Sequence, residues 1–181
     1  HVRAYATNSV DTSYGADISF TTLPAPVAVT SLNRVNATPT NAGTVNWTLT
    51  FASAVTGLTA SNLSLTGAAS TGSVVGTPTI TSGGGLTWNI PVTTGSTDGT
   101  LTLNLANATG LSATISTSLP FAGQSYTMDK TPPTVLSVVR QNPTAQTTSA
   151  SSVVFRVTYS EPVTLTAPEA SRFSIVPVNG G

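Results

Sequence analysis

Apolar and polar residues alternate in short runs along most of the chain, and no sustained 3.6-residue periodicity interrupts them. Period-two alternation marks strands with one buried face, so the chain reads as all-β without a long helix. Between residues 27 and 128 the runs predict seven strands, at 27–35, 44–51, 63–66, 73–81, 86–93, 100–105 and 124–128. Gly83-Gly84-Gly85 supplies one hairpin turn and Asp98-Gly99 another, since these residues accept the backbone that tight hairpins demand. The alternation also assigns a core. Val45, Trp47, Leu49 and Phe51 share one face of a strand, Trp88 and Ile90 lie inward on a second, and Leu101, Leu103 and Leu105 on a third. Asn46, Thr48, Thr50, Thr100, Thr102 and Asn104 take the opposite positions and should face water.

The flanks follow the same rule. Val2, Ala4 and Ala6 alternate with Arg3, Tyr5 and Thr7; turn residues fill 8–15, and alternation resumes over 16–22, which predicts a hairpin. Leu23-Pro24-Ala25-Pro26 is a short linker, stiffened by two prolines that cannot donate to a ladder. Beyond Pro132-Pro133 the pattern of the central segment returns. Val45-Asn46-Trp47-Thr48-Leu49-Thr50-Phe51 aligns with Val153-Val154-Phe155-Arg156-Val157-Thr158-Tyr159, Ser31-Leu32-Asn33-Arg34 with Ser137-Val138-Val139-Arg140, and Ser61-Asn62-Leu63-Ser64-Leu65 with Ser171-Arg172-Phe173-Ser174-Ile175. Large apolar residues recurring at equivalent places indicate two copies of one unit, the second reaching about three strands before Gly181. The expected organisation is therefore a terminal hairpin (1–22), a linker (23–26), a complete sandwich (27–128), a junction (129–133) and the beginning of a second sandwich (134–181).

Composition sharpens this picture. Of 181 residues only 7% are charged, six basic against six acidic, while 39% are hydrophobic. A packed core is within reach, and no basic or acidic field exists to attract nucleic acid or anionic lipid. Surface polarity comes from Thr, Ser and Asn, and β-branched Thr suits the exposed side of a strand. With no cysteine, neither disulfides nor thiolate metal sites are possible, so packing alone must join the sheets. No apolar run approaches the ~18 residues needed to span a bilayer. His1 is no initiator and no signal peptide precedes it, so the sequence reads as a processed product or an excerpt of a longer chain.

Seven short strands with frequent turn signals match an immunoglobulin-like sandwich. Residues 2–22, VRAYATNSVDTSYGADISFTT, resemble the last two strands of a fibronectin type III-like module, a type common in secreted proteins of Bacteroidetes-like bacteria. Residues 51–63, Tyr159-Ser160-Glu161-Pro162-Val163 and the junction Asp129-Lys130-Thr131-Pro132-Pro133-Thr134-Val135 are similar to motifs of bacterial Ig-like repeats, across about residues 27–181. Ser53 stands where those repeats usually carry Glu, and Asn62 and Arg172 where they carry Asp. The resemblance implies a non-catalytic spacer or stalk in a long extracellular bacterial surface protein, adhesin or fibre. Its partners would be neighbouring repeats and, through strand addition between incomplete end modules, identical chains in a filament. The rival expectation is an accessory or carbohydrate-binding module of a secreted polysaccharide-degrading enzyme.

Candidate chemistry is sparse. Some related repeats bind calcium at junctions, which makes Asp129 a candidate ligand with Glu161 as a helper; with so few acids, local turn hydrogen bonding by Asp129 fits better. The single histidine, His1, sits at the start of the chain, and no Gly-x-Ser-x-Gly elbow exists to carry a nucleophile. Glu161 and Glu169 lie close in sequence but read as turn-surface acids rather than a hydrolase pair. A glycan face would use exposed rings, but Trp47 and Trp88 fall at core positions; Tyr5, Tyr14 and Tyr126 are the rings left for the surface, and isolated exposed tyrosines need no functional explanation. Thr48/Thr50 and Thr100/Thr102 are ordinary solvent-facing pairs rather than a flat ice-binding face, and the sequons at Asn46 and Asn107 carry little weight in a bacterial chain. The sequence thus assigns no catalytic, cofactor-binding or metal site, and the reading is of a chain that is not an enzyme, does not bind nucleic acid and does not insert in a membrane.

Overall fold

A computed structural model describes residues 1–164 and 172–176. The chain is all-β, its only helical pieces among the described residues being single 3-10 turns. The described residues hold twelve strands: β1 Tyr5–Thr7, β2 Thr12–Tyr14, β3 Val29–Arg34, β4 Thr44–Phe51, β5 Leu63–Thr66, β6 Val74–Val75, β7 Thr79–Ser82, β8 Thr87–Thr93, β9 Gly99–Leu105, β10 Phe121–Met128, β11 Val135–Asn142 and β12 Val154–Tyr159. The chain divides into two compact units, residues 1–130 and 131–181.

In the first unit, β3, β4 and β8 form a sheet whose far edge is shared by the short strands β6 and β7, and β10, β9 and β5 form a second sheet. Apolar alternation on the facing sides builds one core. Val45, Trp47, Leu49 and Phe51 of β4 are buried with Trp88, Ile90 and Val92 of β8 on one side, and Leu101, Leu103 and Leu105 of β9 with Tyr126 and Met128 of β10 on the other. Trp47 meets Tyr126 edge-on across the two sheets, with centroids 4.7 Å apart, a favoured aromatic geometry. Their polar ends are also satisfied: Trp47 Nε1 donates to the Gln124 carbonyl (2.8 Å), and Trp88 Nε1 to the carbonyls of Val55 and Gly85 (both 3.1 Å).

Several expectations need correction. The single strand expected at 73–81 is two, β6 and β7, broken where Gly76 lies against Pro91 and Pro78 cannot donate to a ladder. Gly83-Gly84-Gly85 does close the β7–β8 hairpin, with positive φ at all three residues. Asp98-Gly99 is not a hairpin turn: β8 and β9 lie in different sheets, so the chain crosses the sandwich there. Asn104 does not face water. It is 7% exposed because its amide lies against the neighbouring β5, donating to Ser64 O and Thr66 Oγ1. Tyr126, expected as an exposed ring, is 0% exposed: its register follows a bulge between Ala122 and Ser125 that turns Tyr126 and Met128 inward. In the terminal hairpin the turn is narrower than 8–15, because Thr12–Tyr14 pairs with Tyr5–Thr7 and the bridge Val2–Ile18 extends the pairing.

Strand directions give this sandwich two distinct ends. The chain enters beside Phe51, which pairs with Val29, and beside Ile115, which bridges Val27. It leaves at Met128, which pairs with Gly99 and bridges Thr40 at the other end of β3. Entry and exit are therefore at opposite poles.

The second unit contains the antiparallel pair β11–β12. Its register repeats that of β3–β4 residue for residue. Leu32–Leu49, Arg34–Trp47, Ser31–Thr50 and Val29–Phe51 in the first unit correspond to Val138–Val157, Arg140–Phe155, Ser137–Thr158 and Val135–Tyr159 in the second. Both pairs carry an irregularity at the same point, between Val29 and Ser31 and between Val135 and Ser137. The third strand expected in this unit is absent at Phe173–Ile175, which is irregular. Its counterpart β5 is held by pairing with β9, and the described residues of the second unit contain no such neighbour.

Candidate functional site

A polar cluster lies where the chain leaves the sandwich. β10 ends at Met128 with its partner Gly99, and Gly99 holds φ +119°, a value that favours glycine. Asp98, one residue earlier, is thereby carried beside the departing chain. Its carboxylate accepts the backbone N–H of Lys130. Asp129 N–H donates to Thr40 O (3.1 Å), so two successive residues of the exit segment are tied down by their backbone.

The Lys130 side chain completes the arrangement. Its ammonium donates to Asn41 O (2.7 Å), Ala42 O (2.7 Å) and Thr94 Oγ1 (2.9 Å). An ammonium has three N–H donors, and all three find an acceptor. Thr94 Oγ1 in turn donates to Ala42 O (2.6 Å), and Thr94 N–H to Gly43 O (3.0 Å), which keeps the acceptors in place. The only lysine of the chain thus closes the exit pole by joining the 40–43 loop, the 94–98 crossover and the end of β10.

The residues singled out from the sequence are dispersed. Asp129 has an exposed side chain, and Glu161 belongs to the second unit. Glu169 lies outside the described residues. No group of three His, Asp or Glu side chains among the described residues is placed to hold a metal. His1 Nδ1 lies 2.9 Å from Asp17 Oδ2, with both side chains largely exposed. Tyr5 and Tyr14 are exposed, tilted against each other at 6.1 Å, and Arg3 stacks over Tyr14 at 4.0 Å. Trp47, Trp88 and Tyr126 are core residues. Of the sequons, Asn107 donates through Nδ2 to Ser61 O (3.0 Å), and Asn46 accepts from Asn89 Nδ2 (3.4 Å).

Two features escaped the sequence reading. One is the Lys130 arrangement, for which the sole signal was a lone lysine in a chain almost without charge. The other is Asn62, buried at the opposite pole. Its Oδ1 accepts from Thr59 N (3.0 Å) and Thr59 Oγ1 (3.0 Å), and its Nδ2 donates to Asn107 Oδ1 (3.0 Å) and Thr109 O (2.8 Å). All four positions of the amide are used. An Asp there could not make the last two bonds.

No protein family matches the chain, and no curated protein does. Among solved structures, the chain is similar to the Escherichia coli adhesin FdeC, at 17% identity and a TM-score of 0.35, over 72% of this chain and 39% of that one. It is also similar to the N-terminal part of the bacterial S-layer protein SbsC, at 15% identity and a TM-score of 0.31, over 64% of this chain and 26% of that one. The chain thus spans well under half the length of either. No helix among the described residues is long and apolar enough to cross a membrane.

Proposed function

We propose that this chain is a non-catalytic spacer segment of a bacterial cell-surface or extracellular protein, a row of Ig-like sandwiches that sets the distance between what lies on either side. The observation that carries this reading is the opposite placement of entry and exit on the complete sandwich. A unit whose chain leaves at the pole away from its entry adds its length to the row. The repeated register of β3–β4 in β11–β12 supports a second copy of the unit. The low charge and the Ser, Thr and Asn surface suit a protein that presents no electrostatic footprint of its own.

With strands of eight residues rising ~3.3 Å each, plus the loops at both poles, one sandwich adds roughly 35–40 Å. The test is small-angle X-ray scattering on the chain and on a version in which residues 27–130 are duplicated in tandem. The spacer reading expects the maximum dimension to grow by about that length; growth as a compact particle, with the dimension nearly constant, would sink it.

A second reading, completion of the second unit's sheet by strands from another copy, is favoured by one observation. Phe155 is 54% exposed, whereas Trp47 at the equivalent register position is fully buried. Sheets with an exposed apolar face and a free edge invite added strands. Under this reading the chain self-associates with rising concentration in sedimentation, and Phe155→Asp keeps it monomeric; a wild-type chain that stays monomeric counts against it.

A further inference from the structure

The first and last strands of the sandwich are β3 and β10. They sit in different sheets, yet side chains and loop backbone join the segments that begin with β3 and end with β10 at several points. Val29 N–H donates to Thr117 Oγ1 (2.8 Å), Arg34 Nη1 to Ser125 O (3.0 Å), and Thr127 N–H to Thr38 Oγ1 (2.7 Å). Thr40 N–H donates to Thr127 O (3.0 Å). The Tyr126 hydroxyl accepts from Val35 N (2.9 Å) and Asn36 N (2.8 Å) while donating to Asn46 O (2.7 Å). Lys130 then fastens the end of the segment to Asn41 and Ala42.

The sequence separation across these side-chain bonds stays between 88 and 91 from Val29 to Thr38 and Lys130, excepting only Tyr126 to Asn46. A constant separation means that the two segments run in the same direction, in step. Gly123 is what lets them approach: a Cβ there would lie 2.6 Å from Leu32 Cγ and 2.8 Å from Leu32 O.

Parallel terminal strands with entry and exit at opposite poles have a mechanical consequence. Tension applied through the chain draws β3 toward the entry pole and β10 toward the exit pole. The bonds between them are then loaded together, in shear. Attached at one pole alone, the same bonds would be loaded one after another.

We propose that residues 29–42 and 117–130 form a shear latch, bolted by the Tyr126 hydroxyl and the Lys130 ammonium, that holds the sandwich closed against tension along the chain. The use of such a latch in a surface protein rests on the spacer reading. The directional resistance belongs to the sandwich itself.

Single-molecule force spectroscopy on the whole chain tests it. The chain has no cysteine, so attachment points can be set freely. One axis runs from the N-terminus to the C-terminus. The other runs from Gly43→Cys to the C-terminus, so that both attachments load the sandwich at its exit pole; a Cβ at Gly43 meets nothing within 4 Å. Unfolding of the sandwich along the first axis is recognised by a gain in length of roughly 330 Å, from about 3.6 Å for each of its residues less the folded span. The latch predicts clearly slower unfolding on the first axis than on the second at equal force. Tyr126→Phe keeps the ring and loses the hydroxyl, and Lys130→Met keeps the stem and loses the ammonium. Tyr126→Phe should speed unfolding about tenfold on the first axis and change the second much less, whereas Lys130→Met, whose acceptors Asn41 and Ala42 adjoin the Gly43 attachment, should speed unfolding on both. Equal resistance on the two axes, an equal loss on both in Tyr126→Phe, or no change on the first axis in Lys130→Met overturns the latch. Such an outcome leaves the spacer reading standing, since that depends on length and is tested by scattering; scattering that shows a compact particle would leave the latch intact.

Discussion

Asn62 shows how one atom type decides a position. The two acceptors that face its Nδ2, Asn107 Oδ1 and Thr109 O, demand a donor, so Asn62→Asp replaces two bonds by two repulsions and buries a charge. The expected loss in urea unfolding is roughly 2–4 kcal/mol, combining the lost bonds with the unpaired acceptors. Trp47 is an apolar counterpart, fully buried and packed on Tyr126. Trp47→Ala should cost about 3–5 kcal/mol by the same measurement, because the facing sheets cannot close over so large a void. The two residues differ in how readily the sequence disclosed them. Alternation along β4 placed Trp47 in the core with no further information. Asn62 looked like a mere exchange for a usual Asp, since its partners are 45 and 47 residues away and belong to a loop without periodicity.

At the scale of elements, strand positions were legible wherever one face is apolar and the other polar, as in β4, β8 and β9. The failures share a physical cause. Asp98-Gly99 has the chemistry of a tight turn, and chemistry alone cannot say whether a turn returns a strand to its neighbour or carries it to the other sheet. Tyr126 was misplaced because a bulge in β10 resets which residues face inward. That bulge includes Gly123, where an added Cβ would meet Leu32 of β3. Gly123→Ala should push β10 away from Leu32 and cost roughly 1–3 kcal/mol, the range for overpacking; it should also weaken hydrogen-exchange protection of Arg34, Val35 and Asn36, whose N–H groups bond to β10 side chains. Gly85 offers a comparison at the β7–β8 turn. It holds φ +116°, and a Cβ would lie 2.2 Å from Val55 O, so Gly85→Ala should lower the thermal midpoint although no apolar contact is removed.

At the scale of the molecule, the exit pole is expected to govern how firmly the end of β10 stays docked. Losing the Lys130 ammonium in Lys130→Met should cost about 1.5–3 kcal/mol in urea unfolding, the range for hydrogen bonds to a charged group, with Thr127 and Asp129 losing amide protection first. The amino-acid sequence alone determined the all-β class, the identity of most core residues and the recurrence of one strand pattern, because alternation and turn chemistry are local properties written into consecutive residues. What only the tertiary structure decided is how those strands are shared between sheets, that β3 and β10 run side by side in one direction, and that Lys130 and Asn62 each satisfy a polar cluster. These depend on partners 32 to 89 positions apart, brought together only when two sheets pack over a common core, and no local pattern encodes such a meeting.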